Sequence, residues 1–207
     1  DNKGQLPFPP WKLHRKGVYI MAKIENIQVY GLEDSFKASK YPFAVDINAV
    51  DGSMTDRIKS LASCKAGTGH DNFLNGIIVQ FDLTFSIKAW VEMQRYHFID
   101  FVSSQSTMHC ISKMDIKAMC NEYVSDVVIA EVERLKKAYL DNPTPKNYLE
   151  LLYNVPVGFE LTARMTTNYR QLKTIYAQRR THRLEDWQVF CDFIETLPYA
   201  KELIINE

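Results

Sequence analysis

The chain has no net charge, because its 25 Lys and Arg residues balance its 25 Asp and Glu residues. A balanced chain exerts no long-range attraction on nucleic acid or on an anionic membrane. Nucleic-acid binding is therefore the least favoured hypothesis, although one stretch, 164–183, contains no acidic residue. Its basic residues are Arg164, Arg170, Lys173, Arg179, Arg180, His182 and Arg183.

Cysteine is scarce, and the four cysteines form no CxxC pair, so a disulfide scaffold is not expected. Long apolar runs are also missing, which argues against a membrane-spanning helix or a signal segment. The five histidines show neither HxxxH nor HExxH spacing, so no metal site is predicted. These absences together predict a soluble cytoplasmic protein with reduced thiols. The cysteines are Cys64, Cys110, Cys120 and Cys191.

What is present suits one globular domain. The 207 residues are 46% hydrophobic and 24% charged, which is enough apolar material for a sizeable core. Residues 1–20 carry three closely spaced prolines and are predicted to be an irregular N-terminal extension, either natural or added in cloning. Residues 21–207 are predicted to form a single domain.

Hydrophobic periodicity predicts a mixture of helices and strands. The clearest strand is Ile77–Ile87, in which apolar residues alternate with polar ones; two more strands are predicted at Ile24–Tyr30 and Val157–Thr166. Because helices and strands do not alternate as βαβ units, the fold class is predicted to be α+β. The predicted helices are Met54–Ala66, Lys88–Val102, Asp115–Leu140, Pro145–Asn154, a helix capped by Asn168 and running to Arg180, and Glu185–Thr196.

Three segments occur in an order and spacing that is known from one enzyme family. A Gly-His-Asp sequence at residues 69–71 precedes the Ile77–Ile87 strand, and Pro156, Asn168, Arg170 and Arg179 lie farther along the chain. These positions resemble those of flavin-dependent thymidylate synthases. That family has Gly-His-Glu before a similar strand, then a proline-bearing strand, then Asn-x-Arg, and an arginine nine residues later.

The family's central signature, RHRxxSxNExSxR, is matched only weakly at residues 96–108. His97 and Ser106 occupy the histidine and second serine positions. The three arginine positions hold Tyr96, Phe98 and Met108, whereas Phe101 and Ser104 replace the first serine and the glutamate. The frame around residues 65–190 is therefore similar to the family, while the signature inside it has diverged.

The resemblance implies a central, mostly antiparallel sheet flanked by helices, in a homotetramer with active sites at subunit interfaces. It implies an enzyme that binds FAD, uses NADPH and methylenetetrahydrofolate as co-substrates, and methylates C5 of the pyrimidine nucleotide dUMP to give dTMP. It also assigns roles to individual residues. The implied catalytic residue is Arg179, and the implied cofactor-binding residues are His70, His97, Asn168, Arg170 and Arg95. The implied substrate-binding residues are Ser104, Gln105, Ser106, Arg179 and Arg180.

The replaced arginines keep two alternatives open. Phosphate groups are bound most strongly by guanidinium groups, and a lost charge-assisted hydrogen bond costs about 1.5–3 kcal/mol when nothing replaces it. Arg95 and Arg180 adjoin family positions and are candidate substitutes, but Leu151 and Leu152 stand where the family has a further nucleotide-binding arginine. The alternatives are a relative with altered substrate or chemistry, and a non-catalytic oligomeric member.

Each candidate residue also has an ordinary structural interpretation. Asn168 is a good helix N-cap in any protein, and His97 lies in an aromatic stretch where a core histidine is common. Arg179 and Arg180 close a predicted helix, where the helix dipole favours cations. Arg170 lies near a helix N-terminus, where a cation is disfavoured, and this position suggests a neighbouring anion such as a phosphate.

Overall fold

The computed structural model describes residues 22–65 and 68–205, so the predicted extension at residues 1–20 lies outside the described residues. The strands are β1 (Lys23–Tyr30), β2 (Ile78–Ser86), β3 (Ile99–Ser104) and β4 (Glu160–Asn168). The helices are α1 (Leu32–Lys40), α2 (Asp56–Ala62), α3 (Ile87–Met93), α4 (Thr107–Cys110), α5 (Asp126–Asp141), α6 (Pro145–Tyr153), α7 (Tyr169–Arg179) and α8 (Glu185–Glu195). Short 3₁₀ turns and a C-terminal π-helical turn, Lys201–Ile205, complete the fold.

The four strands form one sheet in the order β1-β2-β4-β3, and every neighbouring pair is antiparallel. This sheet and its flanking helices confirm the predicted α+β class. The central pair β2 and β4 is in register along its whole length, from Ile78 opposite Asn168 to Ser86 opposite Glu160. β3 is an edge strand and contains a bulge between Phe101 and Ser103.

The alternation within β2 separates two different faces of the sheet. Val79, Phe81, Leu83 and Phe85 are fully buried and pack against α7 and α8 in the main core. The intervening residues lie on a polar face, where Arg164 Nη1 donates to the Asn26 carbonyl at 2.8 Å and pairs with Asp82 at 3.3 Å. Helices therefore cover one face of the sheet with an apolar interior, and the other face carries polar side chains.

A second, smaller core joins α5 and α6 to the start of β4. It is formed around buried side chains that include Leu135, Leu151 and Phe159. The position at which the family has a nucleotide-binding arginine is thus partly interior, since Leu151 is fully buried here. None of the helices in residues 22–65 and 68–205 combines the length and the apolar character needed to span a membrane.

Two predicted helices were wrong in extent, and the helices α1 and α4 and the strand β3 were not predicted. The Lys88–Val102 helix ends at Met93, because the chain then turns and pairs with β4 as β3. The Asp115–Leu140 helix starts only at Asp126, preceded by turns that pair with the segment before β4 through the bridge between Cys120 and Phe159. In both cases an apolar pattern that suits a helix was overridden by backbone pairing with a distant segment.

The remaining local predictions agree well with the structure. Asn168 caps α7, and its Oδ1 accepts a hydrogen bond from the Gln171 amide at 2.9 Å. The four cysteines are free thiols, and Trp90 and Trp187 belong to the main core. His97 differs from its helical interpretation: it lies exposed in the turn that precedes β3.

Candidate functional site

Four of the predicted cofactor-binding residues meet at one corner of the sheet, where β4 ends and β2 begins. Asn168 lies opposite Ile78, and the Tyr169 amide donates to the Ile77 carbonyl at 3.0 Å. The start of β3 reaches the same corner, because Thr167 pairs with Ile99 and its hydroxyl donates to the Phe98 carbonyl at 2.7 Å. The residues brought together in this way are His97, Asn168, Arg170 and, through the contact described next, His70.

Asp71 connects the Gly-His-Asp segment to α7. Its carboxyl group is buried, with Oδ1 3.1 Å from Arg170 Nε and Oδ2 3.4 Å from Lys173 Nζ. Lys173 also donates to the Ala62 carbonyl, so α2 is tied to the same point. This pairing explains why a basic residue is tolerated at the start of α7. His70 precedes Asp71 in the sequence, so its backbone lies next to this ion pair.

The chemistry of this corner suits an anionic ligand. α7 has no acidic residue in its first turn, so its amide groups and dipole are not compensated there by a carboxylate of the helix itself. The Arg170 side chain remains 35% exposed although Asp71 contacts it. His70 and His97 are exposed as well. These donors fit an anionic ligand such as a phosphate group.

The predicted substrate residues 104–106 lie at the opposite end of β3. Gln105 continues the sheet: its amide donates to the Thr162 carbonyl at 2.9 Å, and its Oε1 accepts from the Thr162 amide at 2.8 Å. β3 has six residues, so Ser104 is roughly 17 Å from the corner at a strand rise of about 3.4 Å per residue. Within one chain, residues 104–106 therefore do not meet the predicted cofactor residues.

Arg179, the predicted catalytic residue, is held in a buried cluster of α3, α7 and α8. Its Nη1 contacts Glu92 Oε2 at 2.8 Å and its Nε donates to the Tyr96 hydroxyl at 2.9 Å. The guanidinium carbon lies 4.3 Å from the centre of the Trp187 ring, a cation–π contact. Only 9% of Arg179 is exposed, so the cluster occupies its guanidinium from several sides.

Glu92 is the acidic centre of this cluster. Besides Arg179, its Oε2 accepts from Trp187 Nε1 at 3.0 Å and lies 3.4 Å from His182 Nε2, while its Oε1 is 3.2 Å from Lys88 Nζ. Burial raises the pKa of Glu92, but the hydrogen bonds from Lys88 and Trp187 and the charges of His182 and Arg179 outweigh burial, so the pKa is lowered. Glu92 therefore remains ionised and neutralises Arg179.

The two remaining predicted arginines differ in their surroundings. Arg180 caps the end of α7 and pairs with Asp192 at 2.9 Å and Glu195 at 3.2 Å. Its side chain is 42% exposed. Arg95 is exposed in the turn after α3.

The three residues that replace the signature arginines differ in burial and contacts. Tyr96 belongs to the Arg179 cluster, where its hydroxyl also donates to Gln178 Oε1 at 3.0 Å. Phe98 and Met108 are instead 67% and 58% exposed. Phe101 and Val102 on the edge strand β3 are exposed as well, at 44% and 58%. Sequence reasoning missed Glu92 as the partner of Arg179, and the only available signal was its spacing of four residues from Lys88 on α3.

Comparison with solved structures identifies the fold. A thymidylate synthase X from Helicobacter pylori, crystallised with FAD and dUMP, superposes with a TM-score of 0.69 at 15% identity, covering 90% of this chain and 98% of that one. A second structure of this H. pylori enzyme, complexed with FAD and dUMP, gives a TM-score of 0.68 at 14% identity, covering 88% of this chain and 98% of that one. A UMP/dUMP methylase, PolB from Streptomyces cacaoi, bound to 5-Br dUMP, gives 0.59 at 15% identity, covering 88% and 91%.

The chain thus has the fold of the flavin-dependent thymidylate synthases over nearly its whole length. The resemblance expected from the His70, Asn168 and Arg170 frame is confirmed at the level of the fold. A scan against family models gave no match, and neither did a search of curated proteins. At 15% identity the superposition carries the fold and leaves the chemistry to be argued from the residues.

Proposed function

We propose that this protein is a thymidylate-synthase-like flavoenzyme that transfers a one-carbon unit to C5 of a pyrimidine nucleotide, converting dUMP to dTMP. FAD is the bound cofactor, with NADPH and methylenetetrahydrofolate as co-substrates. The observation that carries the proposal is the corner where β4, α7 and the Gly-His-Asp segment meet. His70, His97, Asn168 and Arg170 converge there in a chain that has this fold.

At that corner, Arg170 and the start of α7 would hold the cofactor phosphates. Asn168 contributes by fixing the first turn of α7, because its Oδ1 accepts a hydrogen bond from the Gln171 amide. His70 and His97, both exposed, are the side chains that would donate hydrogen bonds to the cofactor. When bound, FAD supplies the reducing equivalents for converting the transferred carbon into a methyl group. Asp71 keeps Arg170 oriented, so the guanidinium is ordered before the ligand arrives.

The substrate groups reach the cofactor only in an oligomer. Residues 104–106 are roughly 17 Å from the corner within one chain, so these side chains do not adjoin the proposed cofactor-binding residues of that chain. A homotetramer with interfacial sites solves this, since residues 104–106 of one subunit then complete the corner of another. The exposed apolar side chains of Phe98, Phe101 and Val102, on or next to β3, support such contacts, because exposed apolar patches mark interfaces.

Arg179 and Arg180 have different parts in this proposal. Arg180 is the more accessible and contacts the nucleotide phosphate, exchanging part of its pairing with Asp192 and Glu195. Arg179 acts at the reacting base only after its contact with Glu92 loosens, since its guanidinium is otherwise surrounded. Nucleotide binding is therefore coupled to a rearrangement of the Glu92 cluster.

One observation favours a second candidate, a relative with altered substrate or chemistry. Phe98 and Met108 present exposed apolar surface at two positions where the family has arginines. A neighbour of the same fold, PolB, is a UMP/dUMP methylase, so the fold accommodates variation in the nucleotide. This candidate still binds flavin at the corner where β4, α7 and the Gly-His-Asp segment meet (the flavin corner), but it acts on a different nucleotide or carries out a different one-carbon step. A non-catalytic oligomer would bind neither the flavin nor the nucleotide.

The absorbance spectrum of the purified full-length chain tests the proposal. Bound oxidised flavin absorbs at about 450 nm. We expect either a yellow protein or one that binds added FAD, and Arg170→Ala to weaken that binding by about tenfold or more. Arg134→Ala is the matched control, because Arg134 pairs with Glu131 on the surface of α5. Colourless protein with no affinity for FAD would refute the proposal.

Two further measurements separate the candidates. Tritium release from C5-labelled dUMP, with methylenetetrahydrofolate and NADPH, reports dTMP formation; flavin binding without release would favour altered chemistry. Sedimentation velocity reports the assembly, for which we expect a tetramer. A monomer that binds both FAD and dUMP would contradict the interfacial arrangement.

A further inference from the structure

A cleft of about 680 Å³ lies at the end of the sheet away from the flavin corner. It is bounded by the end of β2 at Ser86, the start of β4 at Glu160, and the first residues of α5 and α8. Because β2 has nine residues, this end is roughly 27 Å from the corner where Ile78 pairs with Asn168. None of the site residues proposed above lines it.

The floor of the cleft contains an unpartnered carboxyl group. Glu160 is 3% exposed, and its Oε2 has no hydrogen-bond partner among the described residues. Its backbone is hydrogen-bonded within the fold: the amide donates to the Met119 carbonyl at 2.7 Å, and the residue pairs with Ser86 in the sheet. A buried acceptor left unsatisfied costs about 1–3 kcal/mol. Such a group is rare in native proteins, and it suggests that a ligand supplies the missing donor.

A second buried acid stands nearby. Asp186, in the first turn of α8, is 9% exposed, and its Oδ1 accepts from the Ser86 amide at 3.0 Å. Burial, followed by the charge of Asp186, raises the pKa of Glu160 to about 8. The negative charge of Asp186 therefore disfavours ionisation of Glu160. A cation bound in the cleft would stabilise the ionised form of both carboxyl groups.

The walls and rim define the remaining chemistry. Four carboxyl groups line the cleft, against two basic side chains. One of these cations, Lys88, is already engaged by Glu92 at 3.2 Å. Apolar side chains form much of the wall, and Tyr123, 71% exposed, stands at the rim. The acids are Glu122, Glu160, Glu185 and Asp186; the bases are Lys88 and Arg183; the apolar wall residues include Val124, Val128, Pro156, Val157 and Leu184.

We propose that this cleft is a binding site for a small organic cation of the amine or amidine class. The charged nitrogen group of the ligand donates to Glu160 Oε2, and its apolar body packs against Val128 and Val157. Asp186 lies close enough to add attraction without giving up its hydrogen bond from Ser86. The site is separate from the flavin corner and does not depend on the proposed activity.

Binding depends on pH because Glu160 must lose its proton to pair with the cation. With a pKa of about 8, the ionised fraction rises about tenfold between pH 7 and pH 9. The other charged groups that line the cleft with Glu160 are Asp186 and Glu185 on α8, Lys88 on α3, Glu122 in the loop before α5, and Arg183. Cys120 also lies near, but burial and the charge of Glu160 raise its pKa to about 11, so it remains a thiol.

Isothermal titration of the full chain with three matched aromatic probes tests the proposal. We expect benzamidine, the cation, to bind about tenfold tighter at pH 9 than at pH 7. Neutral benzamide and anionic benzoate should bind at least tenfold more weakly at pH 9. Glu160→Gln should weaken benzamidine binding at pH 9 by tenfold or more and remove its pH dependence. Preferential binding of benzoate, equal binding of benzamide, or an unaffected Glu160→Gln variant would overturn the proposal.

A second variant protects the test against misfolding. Val157 is 63% exposed at the rim, so Val157→Trp narrows the cleft without disturbing the interior. We expect it to weaken benzamidine binding at least tenfold. The matched control is Val45→Trp, at a fully exposed position outside the cleft, which should leave binding unchanged. If both tryptophan variants bind like the parent protein, the ligand does not occupy this cleft.

Discussion

Glu92 Oε2 accepts hydrogen bonds from both Arg179 Nη1, at 2.8 Å, and Trp187 Nε1, at 3.0 Å. Through this one carboxylate, α3 is joined to α7 and α8. Water does little to solvate the Arg179 guanidinium, because Arg179 is only 9% exposed. Its other neighbours, Tyr96 and the Trp187 ring, carry no negative charge. The Glu92–Arg179 ion pair therefore stabilises the packing of α3 against α7 and α8, and it is also part of the candidate site.

Removing Glu92 should leave a buried, uncompensated guanidinium. We expect Glu92→Ala to lower the free energy of unfolding by about 3 kcal/mol, and Glu92→Gln by less, since an amide oxygen still accepts. Guanidinium chloride unfolding followed by circular dichroism measures both. Glu131→Ala removes an exposed glutamate that pairs with Arg134 and should change stability by about 0.5 kcal/mol or less. An equal loss in the free energy of unfolding for Glu92→Ala and Glu131→Ala would show that the Glu92 ion pair does not stabilise the fold.

Gly31 links β1 to α1 with a positive φ of 76°, and its Cα faces the Gly76 carbonyl oxygen closely. A methyl group at this position would overlap that backbone oxygen in addition to straining φ. We expect Gly31→Ala to cost more than about 2 kcal/mol in thermal or chemical unfolding. Gly69 offers a matched control: its φ is 79°, but a methyl group added there would lie 3.6 Å from its nearest neighbour, Asn72 Nδ2.

For that reason Gly69→Ala should cost only the backbone strain, about 1 kcal/mol. A Gly31→Ala variant no less stable than Gly69→Ala would mean that the contact with Gly76 relaxes freely.

The cysteines should differ sharply in reactivity. Burial raises the pKa of Cys120 to about 11 and that of Cys191 to about 12, whereas Cys110 is exposed. Thiolate is the reactive form, so native protein at about pH 8 should react with a disulfide reagent first at Cys110 and not at Cys120 or Cys191. Thiol titration with and without denaturant measures this. Cys110→Ser should remove the fastest phase; its persistence in that variant would contradict the assignment.

Glu160 should make stability fall as pH rises. Its pKa is raised from 4.5 to about 8, so between these values the folded state holds a proton that the unfolded state has lost. The free energy of unfolding therefore decreases with increasing pH across this window, by roughly 3–5 kcal/mol in total. Glu160→Gln should flatten the profile, and its advantage over the parent protein should grow from pH 5 to pH 9.

Glu150→Gln, at an exposed position on α6, should leave the shape of that profile unchanged. Parallel pH profiles for the parent protein and Glu160→Gln would mean that the Glu160 carboxyl is already solvated or paired.

Local features could be predicted from neighbouring residues alone. The alternation of Val79, Phe81, Leu83 and Phe85 identified β2, and Asn168 identified the start of α7, because strand faces and helix caps depend on residues only a few positions apart. The spacing of His70, Asn168 and Arg170 also indicated the fold. Periodicity failed at residues 94–102, where the same apolar residues suit either a helix or a strand.

By itself, then, the sequence determined the approximate positions of β1, β2 and β4, the cap at Asn168, the α+β class and the frame of residues that resembles the thymidylate synthases. Only the tertiary structure decided that β3 pairs with β4, that Asp71 orients Arg170, that Glu92 neutralises Arg179 and that Glu160 lies unpaired beneath a cleft. The physical reason is range. Caps and periodicity act within a few residues, whereas ion pairs and burial depend on which distant segments the folded core brings together.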